Sequence, residues 1–267
     1  MKKIIATDMD GTFLNHERSF DHKRLNQLLD DFMAKEYLFV AASGRSLVTL
    51  EILFQGFEDK MALIAENGSV VKLFGKIISE DTMSKELYLK LISKLEECPY
   101  LEENRFLLSG KQGSYVKSGV DRDYLNHIRD YYDNVQEVDD FESITDSIFK
   151  LTANFTPELV ESGQDWVNQE VPEVTAVTTG FESIDIILNY VDKSTGLRHL
   201  MAYLGNQPED IIAFGDNLND KEMLEFAGYA IATENARDDI KALSDQVIGH
   251  CKDESVMYYM EGMIGHE

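Results

Sequence analysis

The sequence predicts an α/β protein: a doubly wound, parallel-sheet core interrupted by a smaller α+β insert. Three observations carry this reading. Short apolar runs alternate with helix-period segments at both ends of the chain. Acids and glycines follow two of those runs directly, in Asp8-Met9-Asp10-Gly11-Thr12 and in Gly215-Asp216. Residues 83 to 188 have a different grain, with helical segments mixed among strand-like ones that suggest antiparallel pairing.

Taken in order, Ile4-Ile5-Ala6-Thr7 reads as a buried strand. Residues 21 to 35 carry Leu25, Leu28, Leu29 and Phe32 at helical spacing. Tyr37-Leu38-Phe39-Val40-Ala41-Ala42 is a second buried strand, ending at Ser43-Gly44-Arg45. Ala62-Leu63-Ile64-Ala65 is a third, ending at Glu66-Asn67-Gly68. The insert starts with a helix bearing Leu87, Leu91, Ile92 and Leu95. Strand-like Arg105–Leu108 and Ser114–Val116 follow, then a helix near 121–132, strand-like Ile148–Phe155, and a helix near 157–168. Val174–Thr178 and Ile184–Leu188 complete the insert. A helix with Leu197, Leu200, Met201 and Leu204 leads back to strands at Ile211–Phe214, Tyr229–Ala232 and Gln246–Ile248. The expected division is therefore a core of residues 1–82 and 189–267 and an insert of 83–188.

Composition narrows the function. The 267 residues are 43% hydrophobic with only four prolines, which suits a folded chain with a substantial core. The formal net charge of −24 excludes nucleic acid and anionic membrane surfaces as expected partners, since both would repel the chain. No run approaches the roughly 20 apolar residues that span a bilayer. Met1-Lys2-Lys3-Ile4-Ile5 begins like a signal peptide, but Asp8 and Asp10 interrupt it too early. Cys98 and Cys251 show no metal-ligand spacing and fit a reducing cytoplasmic location. On so acidic a chain, a site for an anionic ligand needs its own positive potential from a cation, a lysine and backbone N–H groups.

The motifs supply those parts. A strand ending in Asp-x-Asp-Gly puts two carboxylates at the carboxyl edge of a sheet, where open α/β folds bind ligands. One carboxylate can hold a hard cation and attack phosphorus while the other handles a proton. Ser43-Gly44 offers a hydroxyl and N–H groups to phosphate oxygens. Lys193, in Asp192-Lys193-Ser194-Thr195-Gly196, sits just before a helix. Gly215-Asp216-Asn217-Leu218-Asn219-Asp220 adds two more carboxylates after a strand. Alone, each motif has an ordinary explanation: a turn, a helix cap or a solvated lysine. Together, each at a strand end or helix start, they point to one site. Arg45 follows the Ser-Gly pair and is placed either to reach a substrate or to form a surface ion pair. Trp166 reads as packing, the six histidines form no metal pattern, and Asp139-Asp140 with Glu142 reads as a solvated loop.

These four motifs resemble those of the haloacid dehalogenase-like superfamily, specifically the Cof-type (class IIB) phosphatases. The resemblance covers essentially the whole chain. Thr7–Asn15, Ala65-Glu66-Asn67-Gly68 and Thr179-Gly180-Phe181-Glu182-Ser183-Ile184-Asp185 are similar to bacterial sugar phosphatases of this class. The resemblance implies a Rossmann-like core and a C2-type cap that governs substrate specificity. It makes Asp8 the nucleophile of an aspartyl-phosphate mechanism and Asp10 the general acid and base. It assigns Mg²⁺ to the Asp8 carboxylate, the Asp10 backbone carbonyl and Asp216. Ser43, Lys193 and Asn219 would hold the phosphoryl group with the N–H groups of Met9 and Gly44, and Asp220 would orient Lys193 or a metal-bound water. Glu182 and Ser183, in a turn between cap strands, become candidate sugar contacts. The implied substrate is a small phosphorylated metabolite, in the first place a sugar phosphate. Sugar phosphomutase and flavin or pyridoxal phosphate phosphatase are the enzymatic alternatives. A phospho-aspartate receiver is the non-enzymatic one, and the large insert and Asp10 weigh against it.

Overall fold

The computed structural model describes residues 1–179 and 182–265. The chain opens with β1 (Lys3–Thr7), a wide turn, and α1 (His22–Ala34), capped by the Asp21 carboxylate accepting from the Lys23 and Arg24 N–H groups. Next come β2 (Tyr37–Ala42), α2 (Leu47–Leu53), β3 (Met61–Ala65), β4 (Val70–Leu73) and β5 (Lys76–Glu80). The insert contributes α3 (Lys85–Glu97), β6 (Phe106–Gly110), β7 (Ser114–Lys117), α4 (Arg122–Arg129), β8 (Val135–Val138), β9 (Ile148–Asn154), α5 (Val160–Glu170), β10 (Val174–Thr178) and β11 (Ser183–Leu188). The return comprises α6 (Lys193–Leu204), β12 (Ile211–Gly215), α7 (Lys221–Phe226), β13 (Tyr229–Ala232), α8 (Asp238–Leu243), β14 (Gln246–Val247) and α9 (Ser255–Gly265).

Two compact units result. Met1–Ser43, Phe54–Ser79 and Asp192–Glu267 form the first; Gly44–Leu53 and Glu80–Val191 form the second. The first unit holds a sheet in the order β14-β13-β12-β1-β2-β3-β4-β5. The six strands from β14 to β3 are parallel, and β4 runs antiparallel to β3. Strands buried on both faces read as continuous apolar runs, which is why Ile4-Ile5-Ala6 and Leu38–Ala42 are legible without alternation. Ile4, Val40 and Ala213 share one buried cluster with Leu197, Leu200, Met223 and Ile240 of α6, α7 and α8. Residues of alternate parity pack elsewhere: Phe39 meets Phe13 and Phe54, and Phe214 meets Tyr259 of α9. Helices therefore cover both faces, and the core is an α/β Rossmann-like fold.

The second unit holds a six-stranded sheet, β10-β11-β9-β6-β7-β8. Its main apolar cluster joins Leu91 and Leu95 of α3 and Val160 and Val167 of α5 to Phe106, Leu151, Ile184 and Ile186 of the sheet. Trp166 packs against this cluster, as expected. Leu107 and Val116 instead pack with Tyr124, Leu125 and Ile128 of α4.

Several details differ from the sequence reading. The hairpin of β4 and β5 extends the parallel sheet; Phe74 (φ 49°) and Gly75 (φ 75°) make its turn, a signal present in Phe-Gly but shadowed by the preceding Glu66-Asn67-Gly68. β8 was not expected, and it pairs parallel to β7, with α4 making the crossover. Its Val-Gln-Glu-Val sequence is an edge strand with its central pair in solvent, so it lacks an apolar signature. The α4 helix ends at Arg129, before residue 132, and a tight turn at Pro157–Leu159 precedes α5. Residues 44–53, which the sequence reading assigns to the core, group with the second unit. There the Lys150 ammonium donates to the Gly44 carbonyl oxygen at 2.6 Å.

Candidate active site

The order in which strands are added to the sheet reverses between β1 and β12. From β1 the chain builds β2 and β3 on one side; β12, β13 and β14 occupy the other. Such a switch point opens a crevice at the carboxyl ends of the strands. Thr7 pairs with Phe214, so Asp8 and Asp216 emerge side by side at that edge. The Asp8 N–H donates to the Phe214 carbonyl oxygen at 3.0 Å, which ties the first acid to β12.

The turn after β1 is wider than an α-turn. Phe13 N–H donates to Asp8 O at 3.1 Å and Leu14 N–H to Met9 O at 2.9 Å, both five residues back. Gly11 takes φ 88°, and a Cβ there would overlap the Asp216 carboxylate, so this position requires glycine. The Thr12 hydroxyl donates to Asp216 Oδ1 at 2.8 Å. Asn235 and Thr233, beyond β13, donate to the Gly11 carbonyl oxygen at 2.7 and 3.3 Å. The turn is thereby held by residues some 220 positions away in sequence.

Lys193 is the first residue of α6 and is fully buried. Asp192 caps the helix, its carboxylate accepting from Thr195 N–H at 2.9 Å in a reciprocal capping box. The Lys193 ammonium donates to Asp8 Oδ1 and to Asp220 Oδ1, each at 2.5 Å. Asp220 is also fully buried, and its Oδ2 accepts from the N–H groups of Asp216 (2.9 Å) and Asn217 (3.0 Å). Both Asp220 oxygens thus serve to hold protein groups.

One ammonium faces three carboxylates here, and the charge balance shows in their acidities. Burial raises the Asp8 carboxyl well above the ordinary range; Asp220 and Asp216 add to this, against the pull of Lys193. Asp216 is raised to about 6, by burial first and by Asp220 next, while the Thr12 hydrogen bond lowers it. Burial disfavours the Lys193 ammonium, but Asp220 and Asp8 outweigh it and its pKa lies above that of an ordinary lysine. One oxygen from each of Asp8, Asp216 and Asp220 falls within 4.8 Å of the others. An all-oxygen donor set with surplus negative charge fits a hard divalent cation, which would relieve the repulsion that raises Asp8 and Asp216.

The remaining expected residues divide between the units. Asp10 is exposed in the turn after Asp8, and Met9 is buried beside it. Ser43, 2% exposed, follows β2 on the neighbouring strand. Asn219 is half-buried in the turn that carries Asp220. Gly44 and Arg45 belong to the second unit, as do Glu182 and Ser183. Glu182 is exposed, and its carbonyl oxygen accepts from Phe155 N–H at 2.7 Å. The Ser183 hydroxyl pairs with that of Thr179 at 2.7 Å, closing the base of the loop. Gly180 and Phe181, part of the motif quoted for this loop, lie outside the described residues. Sequence reasoning missed the Thr12 hydroxyl as a partner of Asp216, although Thr12 stood inside the motif. It also missed Asn235, whose only signal is its place just after a strand end.

Comparisons with known proteins show the family and the fold. The model for haloacid dehalogenase-like hydrolases matches residues 5–260. The chain is 31% identical over 266 residues to 5-amino-6-(5-phospho-D-ribitylamino)uracil phosphatase YbjI of Escherichia coli, covering 99% of this chain and 97% of that one. It is 27% identical to phosphatase YwpJ of Bacillus subtilis, covering 98% and 100%. Among solved structures, SMU.1108c from Streptococcus mutans superposes with a TM-score of 0.90 at 26% identity, covering 100% of both chains. The class IIB sugar phosphatase BT4131 shares the fold, with a TM-score of 0.80 at 18% identity over 98% of each chain.

Proposed function

This chain belongs to the haloacid dehalogenase-like hydrolases and is a phosphatase; from that premise we propose that it is a Mg²⁺-dependent hydrolase of phosphomonoesters on small polyhydroxylated metabolites, sugar phosphates first. The observation that carries the mechanism is the buried Lys193 ammonium shared between Asp8 and Asp220 at the β1–β12 switch point. It holds one Asp8 oxygen and so directs the carboxylate as nucleophile.

In the first step Asp8 attacks phosphorus and the bond to the leaving oxygen breaks. Asp10, exposed two residues on, donates its proton to that oxygen as the alcohol departs. In the second step water attacks the same phosphorus, Asp10 takes the water's proton, and inorganic phosphate leaves Asp8 as a carboxylate again. Ser43, Lys193, Asn219 and the N–H groups of Met9 and Gly44 hold the phosphoryl oxygens. Asp8, the Asp10 carbonyl and Asp216 would hold Mg²⁺, which supplies charge neutralisation when bound. Asp220, committed to Lys193 and two N–H groups, keeps the lysine in place.

The insert, as a cap, selects the leaving group, with Glu182 and Ser183 as its proposed substrate contacts; Arg45, outside the insert, is a further proposed contact. The substrate class is supported by the YbjI relative, whose name specifies a phosphate on a ribityl chain. A sugar phosphate and a ribityl phosphate share a phosphomonoester beside several hydroxyls. The proposed location is the cytoplasm: Cys98 and Cys251 are free thiols, and among the described residues no helix is long and apolar enough to cross a membrane.

The test is phosphate release with Mg²⁺ over a panel of sugar phosphates, sugar-alcohol phosphates, flavin mononucleotide, pyridoxal phosphate and p-nitrophenyl phosphate. The proposal expects the highest kcat/KM on the polyol esters. Preference for either aromatic cofactor, or a phosphoryl group moved to another sugar position, would replace it with the corresponding alternative.

A further inference from the structure

The Glu66-Asn67-Gly68 segment takes no part in the steps above, yet it has the most unusual backbone near the site. Glu66 (φ 53°), Asn67 (φ 57°) and Gly68 (φ 113°) are three consecutive residues in the left-handed half of conformational space. L-residues rarely stay there unless their surroundings hold them. All three are buried, Glu66 completely.

The loop touches the main chain at two of the residues assigned to the phosphoryl group, Ser43 and Lys193. On one side, Asn67 N–H donates to the Ser43 carbonyl oxygen at 3.0 Å, while Ser43 N–H donates to Ile64 O at 2.8 Å. Ser43 is therefore held fore and aft by the end of β3 and its loop. On the other side, Gly68 lies against the start of α6. A Cβ on Gly68 would overlap the Asp192 carbonyl oxygen and stand 3.3 Å from the Lys193 nitrogen. Those neighbours are backbone atoms of a capped helix and cannot swing aside as a side-chain tip could.

We propose that the left-handed Glu66–Gly68 loop is a positioning element that sets the distance between Ser43 and Lys193, with Asn67 and Gly68 as its positioning residues. It works through the backbone. Asn67 presents the N–H that anchors Ser43, and Gly68 allows the close approach that seats Lys193. This rests on the assignment of Ser43 and Lys193 as phosphoryl holders, so the experiment separates the two ideas.

The probe is inorganic phosphate, measured as a competitive inhibitor and by calorimetry in the presence of Mg²⁺, with circular dichroism as the check on folding. Gly68→Ala is expected to weaken phosphate about tenfold. It should lower kcat/KM equally for p-nitrophenyl phosphate and a sugar phosphate, because the defect lies at the group they share. Asn67→Ala should weaken phosphate about threefold, and Asn67→Gly should regain most of that loss, since glycine enters the left-handed region without a Cβ penalty. That rescue would not follow from a missing side chain. A folded Gly68→Ala protein with parental phosphate affinity would overturn the proposal. So would an Asn67→Gly protein as impaired as Asn67→Ala, and this pair decides the matter if Gly68→Ala does not fold. If Lys193→Ala also binds phosphate like the parent, the phosphoryl assignment itself falls; if it loses phosphate while the loop variants do not, only the loop proposal falls.

Discussion

Lys193 concentrates the electrostatics of the site at the scale of one residue. Its ammonium is fully buried and stays charged because two carboxylates sit 2.5 Å away. Removing one partner strands a buried charge. Asp220→Ala is therefore expected to cost about 3–5 kcal/mol in urea denaturation, and a loss under about 1 kcal/mol would show that water or Asp8 alone satisfies the lysine. Asp8→Asn tests the chemistry instead. It keeps size and removes the attacking anion, so turnover should fall at least about a thousandfold with unchanged circular dichroism. The cation assignment gives a third prediction. Mg²⁺ should raise the Tm of the metal-free protein near pH 7.5, and Asp216→Ala should abolish that rise. The sign with pH follows from Asp216, whose carboxyl burial and Asp220 raise from the ordinary aspartate range to about 6. A raised carboxyl contributes stability that is present at low pH and lost as pH rises through about 6. Below about 6 a proton competes for the same oxygens, so Mg²⁺ should bind more weakly at pH 5.5 than at pH 7.5, as calorimetry would show.

At the scale of elements, the site depends on where strands stop and helices start. The ends of β1, β2 and β12 bring Asp8, Ser43 and Asp216 to one edge because these strands are parallel. The start of α6 brings Lys193, and the Asp192 cap fixes that start. Asp192→Ala should lower stability by about 1 kcal/mol and reduce hydrolysis for every substrate alike, measured as kcat/KM over two leaving groups. Much of this was legible beforehand. An apolar run followed at once by Asp, Ser-Gly or Gly-Asp announces a strand and its functional end in the same few residues. What escaped were elements with weak patterns: β8 with its solvated centre, and the β4–β5 hairpin behind the Glu66-Asn67-Gly68 turn. Periodicity reports burial, so an edge strand half in water carries little of it.

At the scale of the whole molecule, the buried acid–lysine cluster belongs to the first unit, and Arg45, Glu182 and Ser183 belong to the second. Such a division predicts separable effects. Glu182→Ala should change the ranking among sugar phosphates by about tenfold in kcat/KM, equivalent to about 1.4 kcal/mol, and change acetyl phosphate hydrolysis much less. An equal loss on all substrates would assign Glu182 to catalysis or folding. The net charge of −24 acts at this scale too. It leaves phosphate recognition to a local arrangement of lysine, N–H groups and cation, because the overall field of the protein opposes an anion.

The sequence by itself determined the fold class and the four motifs, because strand ends, caps and apolar runs are local and each is written in a few adjacent residues. Only the tertiary structure decided how those motifs share their charges. Nothing local says that Thr12 donates to Asp216, that Asp220 spends both oxygens on protein groups, or that Asn235 holds the Gly11 carbonyl. Nor does Glu66-Asn67-Gly68 reveal that its left-handed backbone lies between Ser43 and the start of α6. Such contacts join residues far apart in the chain, and their geometry exists only once the parallel sheet has closed and burial has removed the water that would otherwise satisfy each group singly.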